Sequence, residues 1–178
     1  MGKAKNKENK QGFLGGVFDF LEVAMYALVL VAVLFAFCVR IVEVDGDSMN
    51  DTLSHGDRLV LVKAFYTPQR GDIVVIHRDN NEVPLIKRVI ALEGETISIN
   101  NQTNQVFIDG ELLDEPYVNY PHVPGLESDV TVPEGHVFVM GDHRNNSSDS
   151  RSLGCFDVDD IIGKAVLRFY PFDQFGAV

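Results

Sequence analysis

The chain has 178 residues and a mass of 19.8 kDa, 46% of it apolar and 23% charged, which suits one packed domain of ordinary size and argues against global disorder. Asp and Glu number 26 against 15 Lys and Arg, and the net charge of −11 is opposite in sign to the basic face a nucleic-acid binder needs. Two cysteines exclude a disulfide-rich scaffold and the common four-ligand zinc modules.

The first 40 residues carry a net charge of +2 and the remainder −13, so a small basic head precedes a strongly acidic body. Lysines stand at positions 3, 5, 7 and 10, and Val23 to Val39 then runs for 17 residues without a charge. As a helix that run spans about 26 Å. Phe20, Leu21 and a snorkelling Arg40 extend it towards the roughly 30 Å of a bilayer core. Lysines before the run and acids after it predict a cytoplasmic N-terminus and an external body. Two other readings compete with a lasting anchor. One is a cleavable signal peptide, for which Ala36-Phe37-Cys38 offers small residues. The other is a buried soluble helix. The apolar run exceeds the usual 7–15-residue core of a signal peptide and favours the anchor. The expected organisation is a basic cytoplasmic head with an interfacial segment over 1–19, a transmembrane anchor over 20–40 and an external body over 41–178.

The body shows short Val- and Ile-rich runs broken by turns, the mark of pleated, half-buried strands. Strands are expected at Arg58–Phe65, Asp72–His77, Leu85–Leu92, Thr96–Asn100, Gln105–Ile108, Glu111–Leu113, His136–Met140 and Ile162–Phe169. Ile108-Asp109-Gly110-Glu111 is a two-residue hairpin signal. The proline-containing stretch from Asp114 to Glu134 has no period and reads as a long loop. The fold class is all-β, mostly antiparallel. Cys38 and Cys155 are expected to be free thiols.

Four segments of the body bear on chemistry. Gly46-Asp47-Ser48-Met49-Asn50-Asp51-Thr52-Leu53 holds a serine eight residues past Arg40; it is a nucleophile segment or simply a turn. A serine nucleophile needs a base for its proton and donors for the oxyanion. Leu85, Lys87, Val89 and Ala91 share one strand face. Buried there, Lys87 loses its preference for the ammonium and becomes a competent general base; at a sheet edge its tip reaches water and it is inert. Gly71-Asp72-Ile73-Val74-Val75-Ile76 is a turn into a buried strand with no reactive group. Gly141 to Arg151, sequence GDHRNNSSDSR, is a solvated loop or a rigid network in which Asp142, Arg144, Asp149 and Arg151 alternate in sign. Its acids lack the alternating ligand pattern of an EF-hand.

In this order, the segments resemble the bacterial type I signal peptidases: an anchor, a Ser-Met-x-x-Thr-Leu element, Gly-Asp-Ile-Val-Val, a Lys-Arg strand and a Gly-Asp-x-Arg-x-x-Ser-x-Asp-Ser-Arg loop. The resemblance covers about residues 20–170. It implies a serine endopeptidase with a Ser–Lys dyad, acting through an acyl-enzyme on signal peptides with Ala-x-Ala-like ends. Ser48 matches the nucleophile, with its backbone N–H in the oxyanion hole, and Lys87 matches the base. Ser147 matches the serine that hydrogen-bonds and orients that lysine. Asp149 and Arg151 match a supporting ion pair, Asp142 and Arg144 its loop scaffold, and Met49 a wall of shallow pockets for small side chains. The implied partners are secretory preproteins and the lipid bilayer of a bacterial plasma membrane. No nucleic acid, metal or organic cofactor is implied.

Three positions depart from the family pattern. Asp51 stands where many members have proline. Gly46 offers no side-chain donor where some members have a serine hydroxyl, and one such donor is worth about 2.7–4 kcal/mol. His143 stands where asparagine is common. Asp51 motivates a specialised relative, such as a pilin-processing enzyme, or an inactive chaperone-like one. Three further readings compete. A Ser-His-Asp hydrolase would use His55, His77, His122, His136 or His143, none of them in a recognised motif. A self-cleaving repressor lacks its basic helical domain here. A binding module without chemistry needs the three segments to co-occur by accident.

Overall fold

The computed structural model describes residues 16–33, 39–64, 66–78, 82–100, 102–103, 105–119, 126 and 128–178. They fall into two units, Met1–Cys38 and Val39–Val178. In the first, helix α1 (Gly16–Val33) is long and apolar enough to cross a membrane, by length and composition. Its 18 residues rise about 27 Å, and its large apolar side chains, Phe18, Leu28 and Leu30 among them, are exposed.

The second unit is built from β1 (Val39–Glu43), β2 (Arg58–Val62), β3 (Ile73–Ile76), β4 (Leu85–Ala91), β5 (Thr96–Ile99), β6 (Val106–Ile108), β7 (Glu111–Leu112), β8 (Val130–Thr131), β9 (His136–Met140), β10 (Phe156–Asp157), β11 (Ile161–Tyr170) and β12 (Gly176–Ala177). A one-turn helix, α2 (Ser150–Leu153), and two 3-10 turns complete it. Every strand pairing is antiparallel. The larger sheet runs β1-β2-β11-β3-β4-β9-β10 with β12 on β11, and the smaller runs β7-β6-β5-β8.

Three apolar clusters form the core. One gathers Met49, Leu53, Leu59, Leu61, Ile73 and Val75. A second holds Val74, Ile76, Val89, Val137 and Val139. Consecutive residues of β3 therefore enter different clusters and all four are buried, which is why that strand reads as an unbroken apolar run rather than an alternating one. The third cluster joins Ile90, Phe138 and Met140 to Ile97, Val106 and Ile108 of the smaller sheet. The β6–β7 hairpin turns through Asp109 at φ 51° and Gly110 at φ 83°, the paired positive angles that its two-residue loop demands.

Two expectations are corrected. Val39 and Arg40, assigned to the end of the anchor, belong to β1, where they pair with Val62 and Leu61. The run Val39-Arg40-Ile41-Val42 is β-branched enough to serve as a strand, and Val42 packs against the core. The stretch from Asp114 to Glu134 is not loop throughout, since β8 pairs with β5 through Thr96↔Thr131 and Ile97↔Val130. Two residues are too few to show a period, and the pairing is reinforced by the Thr96 and Thr131 hydroxyls 3.0 Å apart. Cys155 is a free, half-buried thiol; Cys38 lies outside the described residues.

Candidate active site

β4 lies between β3 and β9, so its side chains meet both neighbours. Lys87 faces Val74 across the β3 pairing, and Arg88 sits between Ile73 and Met140. Strand alternation sends these two adjacent cations to opposite faces. Lys87 is 2% exposed, its stem passing among apolar residues. Its Nζ lies 2.6 Å from Ser48 Oγ and 3.1 Å from the Ile86 carbonyl oxygen. Burial pushes the amine down to about 8, against the opposing pull of Asp149 and Asp142, while the Arg151 and Arg78 charges lower it further.

Ser48 occupies a turn between β1 and β2. The turn is anchored from below by buried Met49 and Leu53 and closed by Asn50 N–H to Asp47 O at 3.2 Å and Leu53 N–H to Met49 O at 2.8 Å. The 141–151 loop grips it from the side. His143 N–H donates to the Ser48 carbonyl at 3.0 Å, and the Thr52 hydroxyl donates to Asp142 at 2.5 Å. A Cβ on Gly141 would collide with the Ser48 carbonyl oxygen and the Ser147 side chain, so only glycine allows this approach. Among the described residues the Ser48 N–H has no acceptor and Ser48 Oγ has Lys87 as its sole hydrogen-bond partner.

Two of the loop's four charges, Asp142 and Arg144, pair with residues outside the loop. Arg88 grasps Asp142 with two bonds, Nε to Oδ1 at 2.9 Å and Nη2 to Oδ2 at 2.6 Å, and donates to the Gly71 carbonyl. Its guanidinium lies over the Tyr117 ring, 4.0 Å from the centroid. Tyr117 donates to Glu115, and Glu115 pairs bidentately with Arg144. Burial and the Glu115 charge hold the Tyr117 phenol above its usual range. Asp149 and Arg151 pair within the loop, at 2.8 Å from Nε to Oδ1. Burial opposes the Asp149 charge, but Arg151, the Ser147 hydroxyl and the Gly141 N–H outweigh it and hold the carboxyl below its ordinary range.

Ser148 aside, the loop's serines are thus committed locally. Ser147, matched to a serine that bonds the lysine, gives its hydroxyl to Asp149 Oδ2 at 2.6 Å instead, and Lys87 bonds only Ser48 and Ile86 among the described residues. The carboxylate, stripped of water, is the stronger acceptor for that proton. Ser150 caps the Val139 N–H from inside the fold. Arg88 enters the sequence reading only as the second residue of the Lys-Arg strand, without a role, and Glu115 and Tyr117 do not enter it. Alternation around Lys87 would have exposed Arg88; nothing in the aperiodic 114–119 stretch marks Glu115 or Tyr117.

A cleft of about 300 Å³ opens on Ser48 and Lys87, lined by Val44, Gly46, Met49, Leu85 and Ile86. Two larger clefts, around Thr67 and Asp159 and around His77 and Cys155, contain neither residue of the pair. No described histidine bonds Ser48 Oγ. His55 accepts from the Gly46 N–H and His143 contacts the Asp47 carbonyl; His122 lies outside the described residues. Among the described residues no cluster of three or more His, Cys, Asp or Glu is arranged to hold a metal.

The site thus holds a buried amine against a turn-borne hydroxyl, beside a backbone N–H with no acceptor among the described residues. Residues 17–170 match the family described as signal peptidase, peptidase S26. A probable signal peptidase I-1 of Synechocystis is 42% identical over 168 residues, 88% of this chain and 84% of that protein. Signal peptidase I of Bacillus licheniformis is 35% identical over 97% of this chain and 95% of its own length. A solved signal peptidase I from Enterococcus faecalis is 30% identical over 58% of this chain and all of its own, with a TM-score of 0.48. The chain belongs to the signal peptidase family, peptidase S26, and is a serine endopeptidase of the signal peptidase I type.

Proposed function

We propose that this chain is a membrane-anchored endopeptidase that removes N-terminal signal peptides from secreted preproteins after small residues, using Ser48 as nucleophile and Lys87 as base. The observation that carries the reading is the 2.6 Å approach of a buried, desolvated Lys87 amine to Ser48 Oγ. As an ammonium, Lys87 donates to Ser48 Oγ and blocks attack. As a neutral amine it accepts the hydroxyl proton. Ser48 Oγ then attacks the scissile carbonyl, and the Ser48 N–H stabilises the developing oxyanion. Lys87 returns the proton to the leaving amine, and water hydrolyses the acyl-enzyme. Ser147 acts at one remove, holding Asp149 in place.

The small cleft, with Met49, Val44 and Ile86 among its apolar walls, suits Ala-x-Ala ends. Helix α1 and the lysines before it suit a single-pass anchor with a cytoplasmic N-terminus and an external catalytic unit. Such an anchor confines enzyme and preprotein to one bilayer and raises their effective concentration.

The test is cleavage of an Ala-x-Ala preprotein by the full-length protein in detergent, beside Ser48→Ala and Lys87→Ala. The expected result is a cut after the small residue by wild type and none by either variant. Cleavage by the variants would move the nucleophile elsewhere. A silent wild type would replace general processing with the specialised reading that Asp51 motivates.

A further inference from the structure

His143 holds both peptide planes that flank the Ser48 Cα. Its backbone N–H donates to the Ser48 carbonyl at 3.0 Å. Its ring Nδ1 lies 3.1 Å from the Asp47 carbonyl oxygen. A carbonyl only accepts, so Nδ1 carries the proton and donates. The Asp47 oxygen also accepts the Asn50 N–H at 3.2 Å, within the turn itself.

The Asp47 carbonyl and the Ser48 N–H belong to one rigid amide. A donor clamped on the oxygen end fixes where the N–H end points. It also draws electron density towards oxygen and strengthens the N–H as a donor, as hydrogen bonds in a chain polarise one another. That N–H is unoccupied among the described residues, and Gly46 supplies no side-chain donor to share its work. We propose that His143 is a positioning residue for the oxyanion hole: its imidazole orients and polarises the Asp47–Ser48 peptide so that the Ser48 N–H meets the tetrahedral intermediate. This rests on the reading of Ser48 as nucleophile.

Chemistry at one atom decides the matter. The δ-position atoms of Asn and His lie equally far along the side chain from Cα. His143→Asn therefore keeps a donor there, His143→Asp replaces it with an acceptor of the same shape, and His143→Ala removes it while retaining the backbone N–H. Full-length protein in detergent would be assayed for kcat and KM on an Ala-x-Ala peptide, and for inhibition by a peptide aldehyde that adds to a serine hydroxyl. Removing an oxyanion donor outright costs about 100–1,000-fold in kcat; misaiming one is expected to cost about 10–100-fold. The expected pattern is such a loss in kcat for Ala, a larger one for Asp, KM within about threefold, and matching weakening of the aldehyde. Asn stays within about threefold of wild type.

Equal activity of the Asn and Asp variants, or a loss confined to KM, would overturn the proposal. Should the Ala variant fail to fold, the isosteric Asn and Asp pair still decides. Ser48→Ala separates the two readings: if it still cleaves, the nucleophile assignment fails; if it is dead while Asn and Asp behave alike, only the role of His143 fails.

Discussion

Lys87 and Arg88 are consecutive in β4, yet Arg88 is locked in a two-bond grip on Asp142 while Lys87 touches no carboxylate among the described residues. Both are cations on a buried strand. The one whose charge is matched is a strut, and the one whose charge is unmatched is free to titrate near neutrality.

The first consequence is a pH profile. With its amine lowered to about 8 by burial, Lys87 is increasingly neutral above that pH and an ammonium below it. Initial cleavage rates between pH 5.5 and 10 should rise about tenfold per pH unit below 8 and level off above it. A rate flat from 6 to 8 would exclude Lys87 as the base.

The second is a conflict between activity and stability. The folded state holds the Lys87 proton less tightly than the unfolded chain, where lysine titrates at its ordinary value of 10.5. The destabilisation is complete below pH 8 and fades as pH rises to about 10.5. Lys87→Met should therefore be inactive yet more stable by roughly 3 kcal/mol at pH 7, the gain shrinking towards pH 10.5. Thermal unfolding at both pH values checks it, and a less stable variant at pH 7 would refute it.

Arg88 should behave in the opposite way. Asp142 is fully buried, and among the described residues Arg88→Met leaves its carboxylate with the Thr52 hydroxyl alone. Stranding a buried charge costs about 3–5 kcal/mol, a drop in Tm of order 10 °C for a chain of this size. Differential scanning calorimetry of the two variants side by side should show shifts of opposite sign.

Gly141→Ala tests the approach of the loop to the nucleophile turn. The added methyl meets the Ser48 carbonyl oxygen as well as the Ser147 side chain, and because the Ser48 oxygen is backbone, the turn must move. A displacement near 1 Å costs about 100-fold in rate. That loss should appear in kcat/KM of the folded protein, verified by circular dichroism.

What the sequence shows of this molecule follows the range of the interactions involved. The eight expected strands each overlap an observed one, because period and β-branching are written in neighbouring residues. The antiparallel β class followed from the same signal. β1 was hidden because Val39 and Arg40 continue the composition of the apolar run before them. β8 was hidden by its brevity. At the site, Ser48, Lys87 and the 141–151 loop stand out as local motifs. The Arg88–Tyr117–Glu115–Arg144 chain does not, since it joins residues from three distant segments and no local pattern records a contact made by folding. Ser147 shows the same limit within a motif: its choice of Asp149 over Lys87 depends on distances that spacing does not contain.

The Gly141 approach also sets a schedule. Ser48 is made early in synthesis, Lys87 some forty residues later, and the loop that clamps the Ser48 turn another fifty or more residues beyond. None of the three segments carries the geometry alone, and β9 must pair with β4 before the loop can reach the turn. A nascent chain that has released only its first hundred residues therefore has its hydroxyl and its amine but no assembled centre. The clamp on the Ser48 turn can therefore close only once the last third of the chain, which carries β9 and the 141–151 loop, has emerged and folded.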